Sequence, residues 1–538
     1  MKRSTIVAAA VWTALAASVL HAQPGNTPPA AADDDESDGP EARAELPLKL
    51  DDLIEVAVRL SPDLMRSRID RVAARDAAAG EGRAQAWILS AGAQVSRSAV
   101  ADHTEVPPAG VVADDTISGS VGIGRNLPTG GQLQLEFDAQ HQKQEFNAVT
   151  GLTAQGTPQQ SPAGSSQNGQ PFDELDQSQT ALRATFKQPL ARGFGPDVAL
   201  APQRKADLAA SAATIEAQLA AEQLIKDIVT AYWELAYAAY EVDIRHQAIE
   251  LAHKQEQVTH EQMRAGTTPA SALDSVTYEL ATREEALLRA QLTFEQKSLE
   301  LRRTAGLELD KRQIVMRPAE PFEIGREDFD VDEVLALSHQ ANRQLAKVQL
   351  QKKMADVDVD VANDAVKPQV DLSVQGALIG YGNDTGEALT GVGNADSFQV
   401  TAGVSISIEL SGAAKKARDA ALAKRRRLDV DRADVLRQID TAVVTAVHTV
   451  TAARMRVALA EKAIAVADQD VRSERASFLA NRTSNFQVLI KQGQLIDARL
   501  RRGRAIADYH EAVAQLQFLS GVLLQQYRVN VRPVADRR

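Results

Sequence analysis

Cysteine is absent from the 538 residues of this chain. That absence excludes disulfides, cysteine metal sites, thiol catalysis and a lipidated N-terminal cysteine. Aromatic residues make up only 4% of the chain, few for an enzyme core but natural where alanine and aliphatic seams pack helices together. The net charge of −12 leaves no basic excess of the kind that binds nucleic acid. No HExxH, GxSxG or P-loop motif occurs, so the sequence predicts no enzyme, no cofactor and no metal.

Long apolar runs are also missing beyond the N-terminus. A mature chain embedded in a membrane would therefore have to cross it with strands. At the N-terminus, Lys2 and Arg3 precede an apolar run from Thr5 to Leu20, which predicts a signal peptide over residues 1–22. A membrane anchor is the alternative, although the run is short for a spanning helix. Residues 23–46 are rich in Pro, Ala and Asp and predict a disordered leader.

An internal duplication organises the rest of the chain. A shift of about 281 residues places DLIEVAVRLSPDL (52–64) on DEVLALSHQANRQL (332–345), and a shift of 215 places LRRTAG (301–306) on LQFLSG (516–521). The two shifts differ because the first half carries an insertion, to which the polar segment 141–178 contributes as a predicted flexible loop. We therefore predict a first repeat at 47–310, a second repeat at 311–525 and a tail at 526–538.

Each repeat contains a very long helical pattern. Residues 197–265 hold no glycine and a single proline, Pro202, and residues 413–480 hold neither. Helices of this size would be about 100 Å long. Apolar residues repeat every seven positions, which is typical of coiled coils. They form the rows Ile228, Leu235, Val242, Ile249 and Leu436, Val443, Val450, Val457, Ile464, Val471, Phe478, with an alanine row at Ala446, Ala453, Ala460, Ala467. A short turn and a second heptad helix follow each, predicting two antiparallel hairpins with tips near 264–274 and 478–490.

Alternating apolar residues precede each long helix and follow a moderate helix predicted at about 50–84 or 331–366. They are Leu133, Leu135, Phe137, then Leu182, Ala184, Phe186, then Val370, Leu372, Val374, and Val400, Ala402, Val404, Ile406, Ile408, Leu410. Period two with one apolar face predicts half-buried strands, and such a face can meet lipid in a closed barrel. One chain has too few strands to close a barrel with a passage, so its edges need partner copies.

Four segments, in this order, resemble the TolC-like outer membrane efflux protein family. They are LSPDL (60–64), FKQPLARGFG (186–195), AYWELAYA (231–238) and RAGTTPASALD (264–274). The resemblance covers about residues 47–525. It implies an α+β membrane protein whose homotrimer closes a 12-stranded β-barrel, four strands from each chain, continued by a periplasmic α-helical coiled-coil barrel. Strands near 116–139 exceed four per chain, and we expect either one long bent strand or an extracellular β-ribbon there.

The resemblance further implies a place in the cell and a set of partners. The trimer would lie in the outer membrane with a long periplasmic extension. It would be the channel of a tripartite efflux or type I secretion system, passively conducting substrates delivered by an inner-membrane pump of RND or ABC type through a periplasmic adaptor. A non-channel periplasmic or surface coiled-coil structural protein is the alternative, and a periplasmic enzyme is a third, weaker one.

The hairpin tips are the expected gate and adaptor-docking site, because they lie farthest from the strands. The candidate residues are Arg264, Gly266, Thr267, Asp274, Phe478, Asn481, Arg482, Thr483, Phe486 and Gln487. In the family, the second tip commonly carries acidic rings. Alignment on Val488 and Leu489 puts Gln487 and Ile490 at the acidic positions, so this chain departs from the pattern.

Two readings of the tip residues stay open. In the first, Phe478 and Phe486 form a hydrophobic constriction, and Arg264, Arg482 and Asp274 supply ion pairs. In the second, Phe478 only ends its heptad seam and the charges are solvated.

Three further patterns have structural alternatives. The triplet 481–483 reads as a glycosylation sequon, but the duplication makes it a turn with Asn481 where Gly266 stands. His246, His253 and His260 are about 10.5 Å apart along a helix, too far to share one metal ion except across chains. The run KRRR (424–427) is either a solvated face or a lumen or partner surface.

Overall fold

A computed structural model describes residues 45–99, 111–146, 149–152, 158–161, 174–307, 315–480 and 482–529. The predicted signal peptide, nearly all of the predicted leader, residues 530–538 and Asn481 lie outside the described residues. None of the described helices combines the length and the apolar composition that a membrane span requires.

Eleven helices and ten strands make up the described chain. In order they are β1 (Glu45–Leu48), α1 (Leu50–Leu60), α2 (Pro62–Gly82), β2 (Ile88–Ala99), β3 (Val111–Asn126), β4 (Gln132–Phe146), β5 (Val149–Leu152), β6 (Pro158–Ser161), β7 (Glu174–Pro189), α3 (Pro196–Ala199), α4 (Ala201–Arg264), α5 (Ala270–Thr304), β8 (Val315–Pro318), α6 (Val331–Ala341), α7 (Arg343–Ala365), β9 (Gln369–Gly382), α8 (Thr385–Asn394), β10 (Ser397–Ser407), α9 (Ala413–Leu479), α10 (Asn485–Leu519) and α11 (Leu523–Gln526).

The two long helices are confirmed. Helix α4 has 64 residues and α9 has 67, so each is about 100 Å long. The only proline of α4, Pro202, lies in its first turn, where no intrahelical hydrogen bond is lost. Helices α5 and α10, with 35 residues each, return antiparallel to them along about half of that length.

The shorter helices differ from the prediction in one respect. The segments 50–84 and 331–366 each form two helices, interrupted at Ser61 and at Asn342. Pro62 begins α2 and disfavours a helical residue before it. Asn342 is extended and its side chain caps α7 by accepting hydrogen bonds from the amides of Gln344 and Leu345.

The duplication reappears in three dimensions at these interruptions. Gly306, just after α5, lies against the end of α1, and a Cβ there would come within 2.8 Å of the Leu60 carbonyl oxygen. Gly521, just after α10, has the same relation to the Ala341 carbonyl oxygen, at 2.5 Å. Both glycines have positive φ, 70° and 68°, and end their helices in equivalent ways. Each returning helix therefore meets a broken helix of its own repeat.

The sheet has two strands more than the four per chain that the resemblance implies for the barrel. Six strands pair in the order β10-β9-β7-β4-β3-β2, every neighbour antiparallel. The strands near 116–139 are two strands of the main sheet and not one bent strand. They are β3 and β4, which pair over their whole length between β2 and β7.

The predicted loop 141–178 is also shorter than expected. Strand β4 runs on to Phe146 and β7 begins at Glu174, and their register continues to Glu145 opposite Glu174. Between them, β5 and β6 form a small hairpin. The polar Gln, His and Lys residues at this end of β4 concealed the strand, because alternation of apolar residues ends before the strand does. Outside this sheet, β1 pairs with β8 in parallel.

The hydrophobic core follows the predicted heptad rows near the middle of the helices. Ile228, Leu235, Val443 and Val450 are all at most 2% exposed. The largest cluster joins α1, α4, α5, α10 and α11 around the buried rings of Tyr232 and Trp233. The helices α2, α4, α7 and α9 lie side by side in that order. This layer of helices begins where the sheet ends.

Candidate functional site at the hairpin tips

The first tip is a tight helix end. After Arg264 the chain turns at Gly266, whose φ of 73° favours glycine. The Gly266 amide donates to the Met263 carbonyl, and the Thr267 amide donates to the Gln262 carbonyl, both at 3.0 Å. This is the Schellman pattern of helix ends. Helix α5 starts four residues later, after Pro269.

The second tip repeats this geometry 215 residues later. The Arg482 amide donates to the Ser477 carbonyl at 2.9 Å, as Thr267 does at the first tip. Asn481, the predicted equivalent of Gly266, lies outside the described residues. The Thr483 hydroxyl donates to the Glu474 carboxylate of α9. Both tips are therefore turns fixed by backbone hydrogen bonds, and Thr483 takes part in the second one through its side chain.

Most of the predicted site residues are on the surface of the tips. Arg264, Gly266, Thr267 and Asp274 at the first tip are exposed, as are Arg482 and Gln487 at the second. Within the described residues of one chain, Arg264, Asp274 and Arg482 are in no ion pair. Their predicted links across copies stay a prediction. At the second tip an ion pair is formed instead by Lys491 and Asp470, at 3.0 Å.

The two phenylalanines lie in different environments. Phe478 is 4% exposed, whereas Phe486 is 62% exposed. Burial between helices of the same chain agrees with the alternative in which Phe478 ends the heptad seam of α9. Phe486 is the one of the pair that presents its ring to the surroundings of the single chain. An aromatic constriction across copies stays a prediction.

A buried polar contact that the sequence did not indicate joins the two hairpins near the tips. Gln255 of α4 is 3% exposed and Asn485 of α10 is 5% exposed. The Gln255 Nε2 donates to the Asn485 Oδ1 at 2.6 Å, and the buried Thr259 lies one turn further along α4. The Asn485 Nδ2 has no hydrogen-bond partner among the described residues. A buried amide pair of this kind fixes the register of two helices.

A second buried polar contact lies about two helical turns further from the tip. Arg283 of α5 is 6% exposed. Its Nη1 donates to the Ala248 carbonyl of α4 at 2.9 Å and to the Gln492 Oε1 of α10 at 3.1 Å. Its Nε donates to Glu279, also at 2.9 Å. One guanidinium thus connects three helices belonging to both hairpins.

A third, half-buried ionic cluster joins α4 and α10 midway along the hairpins. Arg504 contacts Glu234 and, at 2.7 and 3.2 Å, the carboxylates of Asp508 and Glu511. Burial raises the pKa of Glu511 to about 7, and hydrogen bonding with Glu234 adds to the rise. Burial opposes ionisation of Glu234 too, but hydrogen bonds from Glu511 and Arg504 hold its pKa below the usual value. The two carboxyls therefore divide into one that stays ionised and one that titrates near neutrality.

The histidine row lies largely on the surface, and part of the basic run forms ion pairs between helices. His246 and His253 are exposed, and His253 faces Glu256 at 3.4 Å. The described residues contain no group of three or more side chains that could hold a metal ion. In the basic run, Lys424 pairs with Asp358 at 3.2 Å and Arg425 with Asp356 at 2.7 Å. These pairs connect α9 to α7 rather than leaving the whole run solvated.

The fold, an antiparallel sheet continued by two helical hairpins about 100 Å long, is similar to that of solved outer membrane channels. VceC of Vibrio cholerae is similar, with a TM-score of 0.62 and 16% identity over 88% of this chain and 96% of that chain. The CmeC outer membrane channel of Campylobacter jejuni is similar with a TM-score of 0.63 and 12% identity, over 88% of this chain and 85% of that chain. The MtrE outer membrane channel of Neisseria gonorrhoeae is similar with a TM-score of 0.60 and 14% identity, over 88% of each chain.

The sequence adds an independent match within the second repeat. Residues 334–522 match the family model described as outer membrane efflux protein. No curated protein matches the sequence. The predicted resemblance to the TolC-like outer membrane efflux proteins is thereby confirmed, by the fold over most of the chain and by the family model over residues 334–522.

Proposed function

We propose that this chain is the outer membrane channel of a tripartite efflux or type I secretion system. Three copies would enclose one continuous passage, with the sheet in the outer membrane and the helices in the periplasm. Substrates would pass through without chemistry, delivered by an inner-membrane pump of RND or ABC type through a periplasmic adaptor. The energy of transport would come from the pump.

One observation carries the proposal. The six-stranded sheet exposes apolar side chains along one face, including Leu89 (74% exposed), Val95 (77%), Phe398 (75%) and Val400 (69%). A water-facing sheet normally hides such a face in a core. The opposite face is polar, with Gln, Ser, Thr, Asp and Glu side chains. An apolar outer face with a polar inner face is the pattern of strands in a membrane barrel around water.

The tips support the remainder of the proposal. The candidate docking residues that are exposed are polar or small apart from Phe486, and they lie at the end of the molecule opposite to the sheet. The buried contacts Gln255–Asn485 and Arg283–Gln492 hold the two hairpins of one chain together near this end. Opening of the passage at the tips would require the hairpins to move relative to one another, and these contacts would oppose that movement.

Reconstitution tests the channel directly. We expect the full chain, extracted from the outer membrane fraction, to run as a trimer in native mass spectrometry and to give discrete conductance steps in planar bilayers. A chain found only in a soluble periplasmic pool would instead support the structural coiled-coil alternative. Deletion of the gene in its host is expected to raise sensitivity to the exported compounds, and re-expression is expected to restore resistance.

Tip variants test adaptor docking. Arg264→Ala and Arg482→Ala are expected to weaken cross-linking of the channel to its adaptor while leaving trimer yield unchanged. Arg289→Ala is the matched control, because Arg289 is also exposed on a hairpin helix but pairs locally with Glu285 at 2.6 Å. Equal cross-linking of all three variants would contradict docking through the tip arginines.

A further inference from the structure

We propose that each chain contributes all six strands to the membrane wall, so that three copies close a barrel of 18 strands. The hairpin formed by β3 and β4 is then an integral part of the barrel. This inference rests on the trimeric channel proposed above, and it adds the size of the barrel and the role of the inserted hairpin.

The apolar face continues without a gap across the inserted hairpin. Through the strand registers, Ala91 of β2 lies opposite Val121, which lies opposite Phe137 of β4. The same row continues through β7, β9 and β10 as Leu182, Leu378 and Phe398. The next row towards the helices reads Leu89, Ile123, Leu135, Ala184, Gly376 and Val400. The hairpin thus shares the face on which the other four strands carry their apolar residues.

The apolar segment of the hairpin has the length of one membrane crossing. On β3 it extends from Ile117 to Ile123 and is bounded by charged residues on the same face. At the helix end Arg125 lies over the Trp87 ring, 5.8 Å from its centroid, and at the other end Asp115 pairs with Arg97 at 3.5 Å. A membrane strand needs about 9–11 residues, and Trp and Arg are typical of the interfaces. Asp115 and Arg125, which bound the apolar segment of β3, are separated by about that number of residues.

The position of the apolar band drifts along the sheet in the way that strand tilt requires. In β2 the band is centred on Gly92, which lies opposite Ser120. In β10 it is centred on Ala402, whose row leads back to Arg125. Measured on β3, the centre of the band moves from Ser120 to Arg125, which is about 16 Å along the strands. This shift accumulates over five interstrand steps of about 4.8 Å each. The tilt is therefore about 35°, within the range for membrane barrels.

The turn of the hairpin is fixed at the helix end of the sheet. The Gly195 amide donates to the Thr129 carbonyl at 3.1 Å, and the Thr129 hydroxyl donates to Gln188 Oε1 at 2.9 Å. Gly130 is so close to Gly193 that a Cβ would come within 2.1 Å of the Gly193 carbonyl oxygen. An extracellular ribbon would have its turn at the opposite end. The hairpin therefore crosses the same layer as its neighbours.

The two edge strands fit a second copy of this chain. In the described sheet, β2 and β10 each pair on one side only. Lipid does not tolerate an unpaired strand edge. Because the sheet has an even number of antiparallel strands, β10 of one copy runs antiparallel to β2 of the next. Copies can therefore join edge to edge without a break in the up-and-down order.

The width of the six strands matches that of the helices below them. Six strands tilted by about 35° span roughly 35 Å, whereas four would span roughly 23 Å. The four helices α2, α4, α7 and α9 lie side by side and span roughly 36 Å at about 9 Å each. Three copies would enclose a backbone diameter of about 34 Å with 18 strands, compared with about 22 Å for 12 strands at the same tilt.

Because the chain has no cysteine, single cysteines test the hairpin without background. We choose Val121→Cys and Phe137→Cys on the apolar face, with Ser120→Cys and Glu136→Cys as matched controls one residue away on the polar face. In proteoliposomes, a membrane-impermeant maleimide is expected to label the two controls at least tenfold faster. A lipid-attached quencher is expected to quench only fluorophores attached at positions 121 and 137.

The strand count of the unmodified trimer completes the test. A cryo-electron microscopy map is expected to show 18 strands in cross-section. A membrane trimer with 12 strands, or with aqueous labelling on both faces of the hairpin, would overturn this inference and leave the proposed channel intact. A chain that neither inserts into vesicles nor forms trimers would overturn the proposed function as well.

Discussion

Replacing Arg283 by methionine is expected to weaken the contact between the two hairpins more than replacing any exposed charged residue would. The guanidinium donates to Glu279, to the Ala248 carbonyl and to Gln492, and the arginine side chain is only 7% exposed. Methionine fills a similar volume but donates nothing. It leaves Gln492, itself 3% exposed, without its partner.

The expected loss follows from this burial. Removing one partner from a buried charged contact typically costs about 3–5 kcal/mol. Because Glu279 is partly open to water, with 32% of its side chain exposed, we expect the lower end, about 3 kcal/mol. Arg289→Met is the matched control. Arg289 pairs with Glu285 in the same i to i−4 arrangement on the same helix, but both side chains are at least 67% exposed, so its loss should cost about 0.5 kcal/mol or less.

The assay is unfolding of the detergent-solubilised trimer in urea, followed by far-ultraviolet circular dichroism. Arg283→Lys separates charge from geometry, because an ammonium keeps the charge but cannot make all three contacts as a planar group does. We expect it to recover part of the loss. Equal midpoints for Arg283→Met and Arg289→Met would refute the reasoning that the buried bridge holds the hairpins together.

Three further predictions concern backbone geometry, pH and the amide contact. Gly521→Ala is expected to destabilise the chain by at least 2 kcal/mol more than Gly266→Ala in thermal unfolding, because both positions have a left-handed backbone but only the first Cβ meets a carbonyl; equal effects would contradict this. Burial, partly offset by Arg343, raises the pKa of Glu222 to about 7. Its stabilising contribution is complete below about pH 4.5 and is lost as pH rises through 7, so Glu222→Gln should gain up to about 3 kcal/mol relative to the native chain between pH 5 and 8, and parallel pH profiles would argue against it. Gln255→Leu should cost about 1–3 kcal/mol because Asn485 loses its partner, and adding Asn485→Leu should restore part of that stability; strictly additive losses would exclude the coupling.

The helices could be predicted closely from the sequence, for a physical reason. A segment without glycine and with proline only in its first turn has nothing to interrupt a helix. The heptad rows then determine which side of α4 and α9 is buried. The interruptions at Ser61 and Asn342 were missed because they arise from a tertiary requirement. Each lies where a returning helix ends against its own repeat.

The alternating pattern of the strands could be predicted from the sequence, but the number of strands in the sheet could not. Alternation identified parts of β4, β7, β9 and β10, whereas β2 is rich in Ser and Ala and gives a weak signal. The expectation of four strands came from the family resemblance and not from the residues. The residues themselves indicated additional strands near 116–139.

The tips could be located, but the side chains that join the hairpins could not. Gln255, Thr259 and Arg283 look like the outer positions of an amphipathic helix, and Asn485 is 230 residues away from the amide that it contacts. A heptad pattern shows which residues of one helix face inward. It does not show which second hairpin packs over the positions that remain.

The composition of the helix contacts changes along the hairpins, and this change bears on how a passage at the tips can open. In its sheet-proximal half, α4 packs mainly through apolar residues such as Ile225 and Ile228, both fully buried, and Glu222 is the one buried charged residue there. Towards the tips the same helix presents Gln255 and Thr259 to its neighbours. Apolar seams tolerate small displacements because dispersion and burial change gradually. Buried hydrogen bonds do not, since each is either formed or leaves a polar group without water. Relative movement of the hairpins is therefore expected to proceed between discrete positions at the tips, while the half next to the sheet stays packed.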